Sequence, residues 1–149
     1  MAGKRTTTML MALITTIGVV LGLSTTALAG SPSSGRSDSN VGIAAADGYF
    51  YAWTGTYRTG TQCRWFGNSD NWGACRNTAS SAENRGYVGT YDDVNVYWGT
   101  SATGAWACMG NGGYWLDLTL CREWFNHGSP GYGECVNNNA SSHRWVNSC

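Results

Sequence analysis

One order of sequence elements occurs twice in the chain. In each copy an aromatic residue is followed seven positions later by a glycine, then by a cysteine, and later by an Asn-x-x-Ser-Ser element. The first copy contains Trp53, Gly60, Cys63 and "NTASS"; the second contains Tyr97, Gly104, Cys108 and "NNASS". A duplicated order is most simply explained by two copies of one structural unit. We therefore expect one domain over residues 46–149, with a first unit over about 46–90 and a second over about 91–149.

The local sequence indicates that these units consist of β-strands. The runs "GYFYAW" (Gly48 to Trp53) and "DVNVYWG" (Asp93 to Gly99) are aromatic and β-branched, and turn-forming residues flank them. The Asn-Gly dipeptide in "MGNGGYW" (Met109 to Trp115) predicts a hairpin. The spacing in "DLTLCREWFNH" (Asp117 to His127) predicts one short helix. The expected fold is all-β, with that short helix in the second unit.

The N-terminus has the features of a secretory signal. Lys4 and Arg5 precede the apolar run "MLMALITTIGVVLGL", and "ALA" ends at Ala29. This order predicts a signal peptide over residues 1–29 that is cleaved after Ala29. A retained membrane anchor is the weaker interpretation, because the apolar run is short and interrupted. Residues 30–45 are rich in Ser and Gly and predict a flexible linker, so we expect a secreted protein with no membrane attachment after cleavage.

All six cysteines follow the predicted signal, and an even number in an exported domain predicts disulfide bonds. A zinc site is disfavoured because no Cys-x-x-Cys spacing accompanies them. Cys63 and Cys75 are the two in the first half and are the predicted pair, which would stabilise the fold by about 3 kcal/mol. The sequence leaves the pairing of the others open: Cys108, Cys121, Cys135 and Cys149.

Charge and motif content argue against two classes of function. After Ala29 the chain contains seven arginines and nine acidic residues, and lysine is absent from that part of the sequence. Nucleic-acid binding is therefore not expected, because it needs clustered positive charge. The chain has no G-x-S-x-G or H-E-x-x-H motif, and the adjacent Asp92 and Asp93 would point to opposite faces of a strand. His127 and His143 have no partner motif, so the sequence predicts a non-catalytic protein.

The repeated elements resemble those of the βγ-crystallin family. "WTGTYRTG" (Trp53 to Gly60) and "YWGTSATG" (Tyr97 to Gly104) match its aromatic and glycine element, and "NNNASS" (Asn137 to Ser142) matches its later loop. "RNTASS" matches except at Arg76. The resemblance implies a Greek-key β sandwich of two units, stapled here by disulfides. It also implies structural roles for Trp53, Gly60, Ser81, Tyr97, Gly104 and Ser142, with the two serines as hydroxyl clamps.

The same resemblance implies calcium binding at the "NNNASS" loop. Its predicted ligands are Asn137, Asn138, Asn139 and Ser141. The loop has no carboxylate, and Arg76 stands where the family pattern has an amide or a carboxylate. We therefore expect at most one calcium ion, bound with a dissociation constant of about 10⁻⁴ to 10⁻³ M. The alternative is that the amides form turns and the hydroxyls are only clamps.

Two functions remain from different classes. An exported, disulfide-stapled domain of this kind resembles the secreted bacterial peptidase (metalloproteinase) inhibitor family, which implies a secreted protease as partner and a monomeric inhibitor. The segment "REWFNHGSPGYGE", Arg122 to Glu134, is our candidate inhibitory loop. The alternative is a carbohydrate or cell-envelope binding module, because exposed indoles stack on sugar rings. The tryptophans considered for polysaccharide binding are Trp65, Trp72, Trp115 and Trp124.

Overall fold

The structure is a computed structural model that describes residues 44–149. The predicted signal peptide and nearly all of the predicted linker lie outside the described residues. Within the described part of the chain, no helix has both the length and the apolar character needed to cross a membrane.

Seven β-strands form two antiparallel sheets between residues 44 and 149. In the first sheet the strand order is β2-β1-β3-β6, and in the second it is β5-β4-β7. The strands are β1 Tyr49–Trp53, β2 Gln62–Trp65, β3 Ser81–Arg85, β4 Asp93–Tyr97, β5 Trp106–Met109, β6 Tyr114–Trp115 and β7 Ser142–Val146. Three single-turn 3-10 helices, Gly73–Cys75, Thr100–Ala102 and Leu118–Leu120, complete the described regular structure.

The two units exchange their third extended segments. β6 follows β5 in the chain but pairs with β3 of the first unit, with Ala82 opposite Trp115. Reciprocally, Ser69 follows β2 but pairs with His143 of β7. In each unit the last strand returns to lie beside the first, which is the Greek-key arrangement. The predicted two-unit β sandwich is therefore confirmed.

The core lies between the two sheets because alternate residues of each strand point inward. Phe50 and Ala52 of β1 and Val94 and Val96 of β4 are completely buried. Aromatic rings fill much of the first unit, where Phe50 packs beside Trp72 with 5.7 Å between ring centroids. Three disulfides stabilise this small core.

The aromatic and glycine elements of the two units occupy matching positions. Trp53 ends β1 opposite Ser81, and Tyr97 ends β4 opposite Ser142. Gly60 and Gly104 have φ angles of 78° and 77°, a region that side chains with a Cβ rarely adopt. Each glycine closes a loop with the sequence Gly-Thr-x-x-Thr-Gly.

A serine from the last strand of each unit holds this loop. Ser81 Oγ donates to Gly55 O at 2.7 Å and accepts from the backbone N–H of Arg58 at 3.1 Å. In the second unit, Ser142 Oγ donates to Gly99 O at 2.6 Å and accepts from Ala102 N–H at 3.0 Å. Each hydroxyl thus satisfies two backbone groups of a folded loop.

We predict that Ser142→Ala lowers the free energy of unfolding by about 2 kcal/mol, because it leaves Gly99 O and Ala102 N–H without partners. Denaturant unfolding of the variant measures the loss. Ser148→Ala, at an exposed position, is the control and should change stability little. Equal stability of the two variants would show that the hydroxyl does not hold the loop.

The helix predicted over Asp117 to His127 is wrong. The regular part is a single 3-10 turn, Leu118–Leu120, and Cys121 ends it with a left-handed φ of 51°. The chain then becomes extended, and Trp124 pairs with Cys135 as an isolated β-bridge. The periodic apolar residues belong to different local structures: Leu118 and Phe125 are buried, while Cys121 forms a disulfide.

The predicted hairpin at "MGNGGYW" is also wrong. The segment does turn, since Gly113 N–H donates to Gly110 O at 2.9 Å. The flanking strands β5 and β6, however, belong to different sheets. The Asn-Gly signal marked a reversal between sheets and not a two-stranded hairpin.

The predicted bond between Cys63 and Cys75 is present, and the other two are Cys108–Cys149 and Cys121–Cys135. The first cysteines of the two units are not equivalent, although the sequence repeat suggested it. Cys63 lies opposite Ala52, whereas the matching position opposite Val96 is Ala107. Cys108 is therefore one position further along its strand and faces the other side of the sheet.

Candidate functional site

The candidate inhibitory loop, Arg122 to Glu134, is closed at its base. The disulfide Cys121–Cys135 joins the residues that flank it. Two backbone hydrogen bonds continue the closure: Val136 N–H donates to Glu123 O at 3.0 Å, and Phe125 N–H donates to Glu134 O at 3.0 Å. Burial raises the pKa of Glu123. The two arms of the loop are thus fixed side by side.

The loop is also attached to the body of the domain. Phe125 is completely buried and lies in the core. The backbone N–H of Trp106 on β5 donates to His127 O at 2.8 Å, and the Trp106 indole ring stacks on the His127 imidazole with 4.0 Å between centroids. Ala105 N–H donates to Pro130 O at 2.7 Å. A buried anchor and backbone bonds to a strand make this a rigid surface loop.

Large side chains remain exposed on this rigid frame. Trp124 is 49% exposed and Tyr132 is 68% exposed. Gly131 packs on the indole of Trp98, where an added Cβ would come within 2.5 Å of the ring. Trp98 Nε1 also donates to Glu134 at 2.9 Å. The exposed tip of the candidate inhibitory loop therefore packs on Trp98, which directly precedes the Gly99 to Gly104 loop of the second unit.

The "NNNASS" loop pairs with its counterpart "RNTASS" in the first unit. Asn77 and Asn138 occupy matching positions and both have left-handed φ angles, 54° and 57°. Asn77 N–H donates to Ala140 O at 2.8 Å, and Asn138 N–H donates to Ala79 O at 3.1 Å. The reciprocal bonds bring the two loops together and give these asparagines a turn-forming role.

The predicted calcium ligands do not all reach one cleft. Asn139 and Ser141 line a cleft of about 270 Å³, whereas Asn137 and Asn138 are not among its lining residues. Ser141 Oγ donates to Asn77 Oδ1 at 2.8 Å across it. Among the residues that line this cleft, Arg76 is charged and the others are neutral. The lining residues are Arg76, Asn77, Trp98, Gly99, Thr100, Thr103, Asn139 and Ser141. The cleft can offer neutral oxygens to a cation, but the guanidinium opposes one.

A separate cluster of Asp93, Cys108 and Cys149 has ligand atoms close together. Both cysteines are joined in a disulfide, so their sulfurs are not thiolate ligands. The Asp93 carboxylate accepts from the backbone N–H groups of Asn111 and Cys149. This cluster has a structural role.

The residues considered for catalysis also have structural roles. His143 is completely buried, and its Nδ1 accepts from the Trp72 indole N–H at 2.9 Å. Its Nε2 therefore carries the proton and donates to Gly67 O at 2.8 Å. Burial lowers the pKa of His143 to about 4. The Asp92 carboxylate accepts from Gly89 N–H.

Most of the tryptophans considered for sugar binding lie in the interior. Trp72 and Trp115 are buried, and Trp65 stacks on Trp72 with 5.3 Å between centroids. Trp124 is the exposed member of the four, and it belongs to the loop described above. Trp65, Trp72 and Trp115 therefore pack in or against the core of this small β domain.

The structure has a second, larger cleft that the sequence did not predict. This cleft has a volume of about 520 Å³ and lies where the end of β2, the connection from β3 to β4 and the strand β7 meet. Its lining residues are Gly48, Phe66, Gly67, Asn68, Tyr87, Thr90, Tyr91 and Trp145. The segment "GYVGTY", Gly86 to Tyr91, was an available signal, because aromatic residues among glycines without strand alternation indicate exposed rings.

No protein-family model matches the chain, and no curated protein is similar to it. Solved structures with a similar fold include one described as "Evolution of the eye lens beta-gamma-crystallin domain fold", with 16% identity and a TM-score of 0.48; the match covers 69% of this chain and 88% of that one. A βγ-crystallin from Ciona intestinalis has 10% identity and a TM-score of 0.46, and the match covers 66% of this chain and 99% of that one. The fifth crystallin domain of the non-lens protein Absent in melanoma 1 has 15% identity and a TM-score of 0.43, and the match covers 67% of this chain and 88% of that one. At this identity the likeness concerns the fold and indicates no activity.

Proposed function

We propose that this protein is a secreted, non-catalytic peptidase inhibitor that binds a protease through the loop Arg122 to Glu134. The observation that carries the proposal is the loop's construction. It is closed by Cys121–Cys135 and bonded to β5, yet it exposes Trp124 and Tyr132. The bonding and the burial of Phe125 order the loop before any partner arrives, so binding costs little further conformational entropy.

The exposed side chains suit a protein partner. Tryptophan and tyrosine are common among the residues that contribute most to binding energy at interfaces. Tyr132 lies between Gly131 and Gly133, whose φ angles are 96° and 81°. A peptide substrate binds a protease in an extended form, which this tip does not have. We therefore expect the loop to block the protease as a rigid wedge and to remain uncleaved.

The test is an inhibition assay with the purified protein against a thermolysin-like, a subtilisin-like and a trypsin-like endopeptidase. We expect reversible, stoichiometric inhibition of at least one, without cleavage between Arg122 and Glu134. Tyr132→Ala should weaken that inhibition by about tenfold or more, because it removes an exposed aromatic anchor.

Tyr87→Ala is the matched control. Tyr87 is a comparably exposed tyrosine that lies outside the loop, so its removal should leave inhibition unchanged. Absence of inhibition of all three peptidases at micromolar protein concentration would contradict the proposal. Equal weakening by both variants would contradict the assignment of the loop.

We also propose one weak calcium site in the cleft that Asn77, Asn139 and Ser141 line. The neutral oxygens support it, and the Arg76 guanidinium limits its affinity. We predict that Arg76→Asp tightens calcium binding by about tenfold or more, because it removes a repelling charge and adds a carboxylate ligand. Isothermal titration calorimetry with calcium chloride measures the change.

Arg122→Asp, at another exposed arginine, makes the same charge change outside that cleft and is the control. It should change calcium affinity much less than Arg76→Asp. If neither the wild type nor Arg76→Asp binds calcium at millimolar concentration, the site does not exist and the asparagines only form turns.

A further inference from the structure

We propose that the aromatic cleft of about 520 Å³ is a binding site for a neutral oligosaccharide. This site is separate from the proposed inhibitory loop and from the tryptophans considered in the sequence. It lies between the two units, where Phe66 and Gly67 follow β2, Tyr87 and Tyr91 belong to the connection from β3 to β4, and Trp145 is on β7. The volume is in the range of small-molecule sites in proteins.

Glycines set the positions of the cleft's rings. An added Cβ at Gly48 would come within 2.7 Å of Tyr87 and 2.9 Å of Phe66. An added Cβ at Gly86 would come within 2.5 Å of Trp145. Close packing of the rings on bare backbone restricts their movement. The aromatic walls are thus largely formed before a ligand binds.

These rings are exposed at a cost in free energy. Tyr87 and Tyr91 are 62% and 63% exposed, and Phe66 is 67% exposed. Contiguous exposed apolar surface of this kind is typical of binding sites. Flat aromatic faces beside hydroxyl and amide groups match a sugar, which has an apolar ring face and a polar edge.

The lining chemistry favours a neutral ligand. None of its residues is charged: Gly48, Phe66, Gly67, Asn68, Tyr87, Thr90, Tyr91 and Trp145. Asn68 Oδ1 accepts from the backbone N–H of Trp145 at 2.8 Å, which fixes the amide at the cleft. With its oxygen so engaged, the Asn68 side-chain NH₂ is positioned as a donor, and the hydroxyls of Thr90, Tyr87 and Tyr91 add donors and acceptors. An anionic or cationic ligand would find no compensating charge here.

The test is calorimetric titration of the purified protein with chitotetraose and with cellotetraose at millimolar concentration. We expect at least one to bind. Tyr87→Ala and Tyr91→Ala should each weaken that binding by about tenfold or more, because each removes a stacking ring. Both side chains are mainly exposed, so the variants should keep the wild-type melting temperature, which is measured alongside.

Tyr132→Ala is the matched control, because that tyrosine is similarly exposed but lies on the loop of the second unit. It should bind the sugar as the wild type does. Hexaproline is the competing probe, since a proline-rich peptide also stacks on aromatic rings. Binding of hexaproline alone, binding of neither tetrasaccharide, or sugar binding that Tyr87→Ala and Tyr91→Ala leave intact would each overturn the proposal. None of these results depends on whether the protein inhibits a peptidase.

Discussion

Replacing Glu83 by glutamine is expected to lower the free energy of unfolding by about 3 kcal/mol, because two arginines lose the buried charge that they share. Glu83 is 1% exposed on β3. Arg58 binds it with two hydrogen bonds of 2.8 and 3.0 Å, and Arg85 donates to it at 2.8 Å. The hydrogen bond to Glu83 raises the pKa of Arg85. Glutamine keeps the shape but removes the carboxylate that Arg58 and Arg85 share, and leaves Arg85 with the more distant carboxylate of Asp47, 3.8 Å from its Nη1.

The measurement is denaturant unfolding of Glu83→Gln beside Asp70→Asn. Asp70 also pairs with an arginine, Arg144, but its carboxylate is largely exposed, so its removal should cost less than about 1 kcal/mol. Equal losses in the two variants would show that burial of the Glu83 cluster contributes nothing.

The second large effect is a loss of stability in acid through His143. Its pKa is lowered from an ordinary value of 6.5 to about 4 in the folded protein, mainly by burial. The unfolded chain therefore binds the proton more readily than the folded one. Stability from this group is complete above about pH 6.5 and is lost as the pH falls to about 4, a total of about 3 kcal/mol. Protonation of Nδ1 would break the bond from Trp72.

The pH effect is measured by unfolding wild type and His143→Gln across that pH interval. Carboxylates titrate in both proteins, so the difference between the two curves isolates the histidine. We expect His143→Gln to be less stable at neutral pH and to lose less stability in acid. His127→Gln makes the same substitution at an exposed position outside the buried contacts with Trp72 and Gly67, and is the control for the change of side chain. Parallel curves for wild type and His143→Gln would contradict the assignment.

The sequence predicted the features that depend on local geometry. Gly60 and Gly104 have the positive φ that a tight loop needs, and the clamp serines lie opposite Trp53 and Tyr97. Such requirements leave a pattern that repeats along the chain. The Cys63–Cys75 pair could likewise be predicted because the two residues are close in sequence.

The features that were missed depend on contacts between distant segments. The exchanged segments are only Ser69 and the two-residue strand β6, too short to show strand alternation. Cys108 pairs with Cys149, 41 positions away, which no local pattern specifies. The aromatic cleft combines side chains from Phe66 to Trp145, so its lining becomes apparent once the sheets are assembled.

The proposed inhibition of a peptidase depends on a rigid loop that the Cys121–Cys135 disulfide closes. The most direct test uses a peptidase that the wild-type protein inhibits. This peptidase is titrated with the double variant Cys121→Ser/Cys135→Ser and, in parallel, with the double variant Cys63→Ser/Cys75→Ser. Both variants lose a short disulfide, but only the first opens the loop. Melting temperatures show that each is folded under the assay conditions. We predict that opening the loop weakens inhibition by about tenfold or more, while the other variant inhibits like the wild type. Wild-type inhibition by a folded Cys121→Ser/Cys135→Ser variant would contradict the claim.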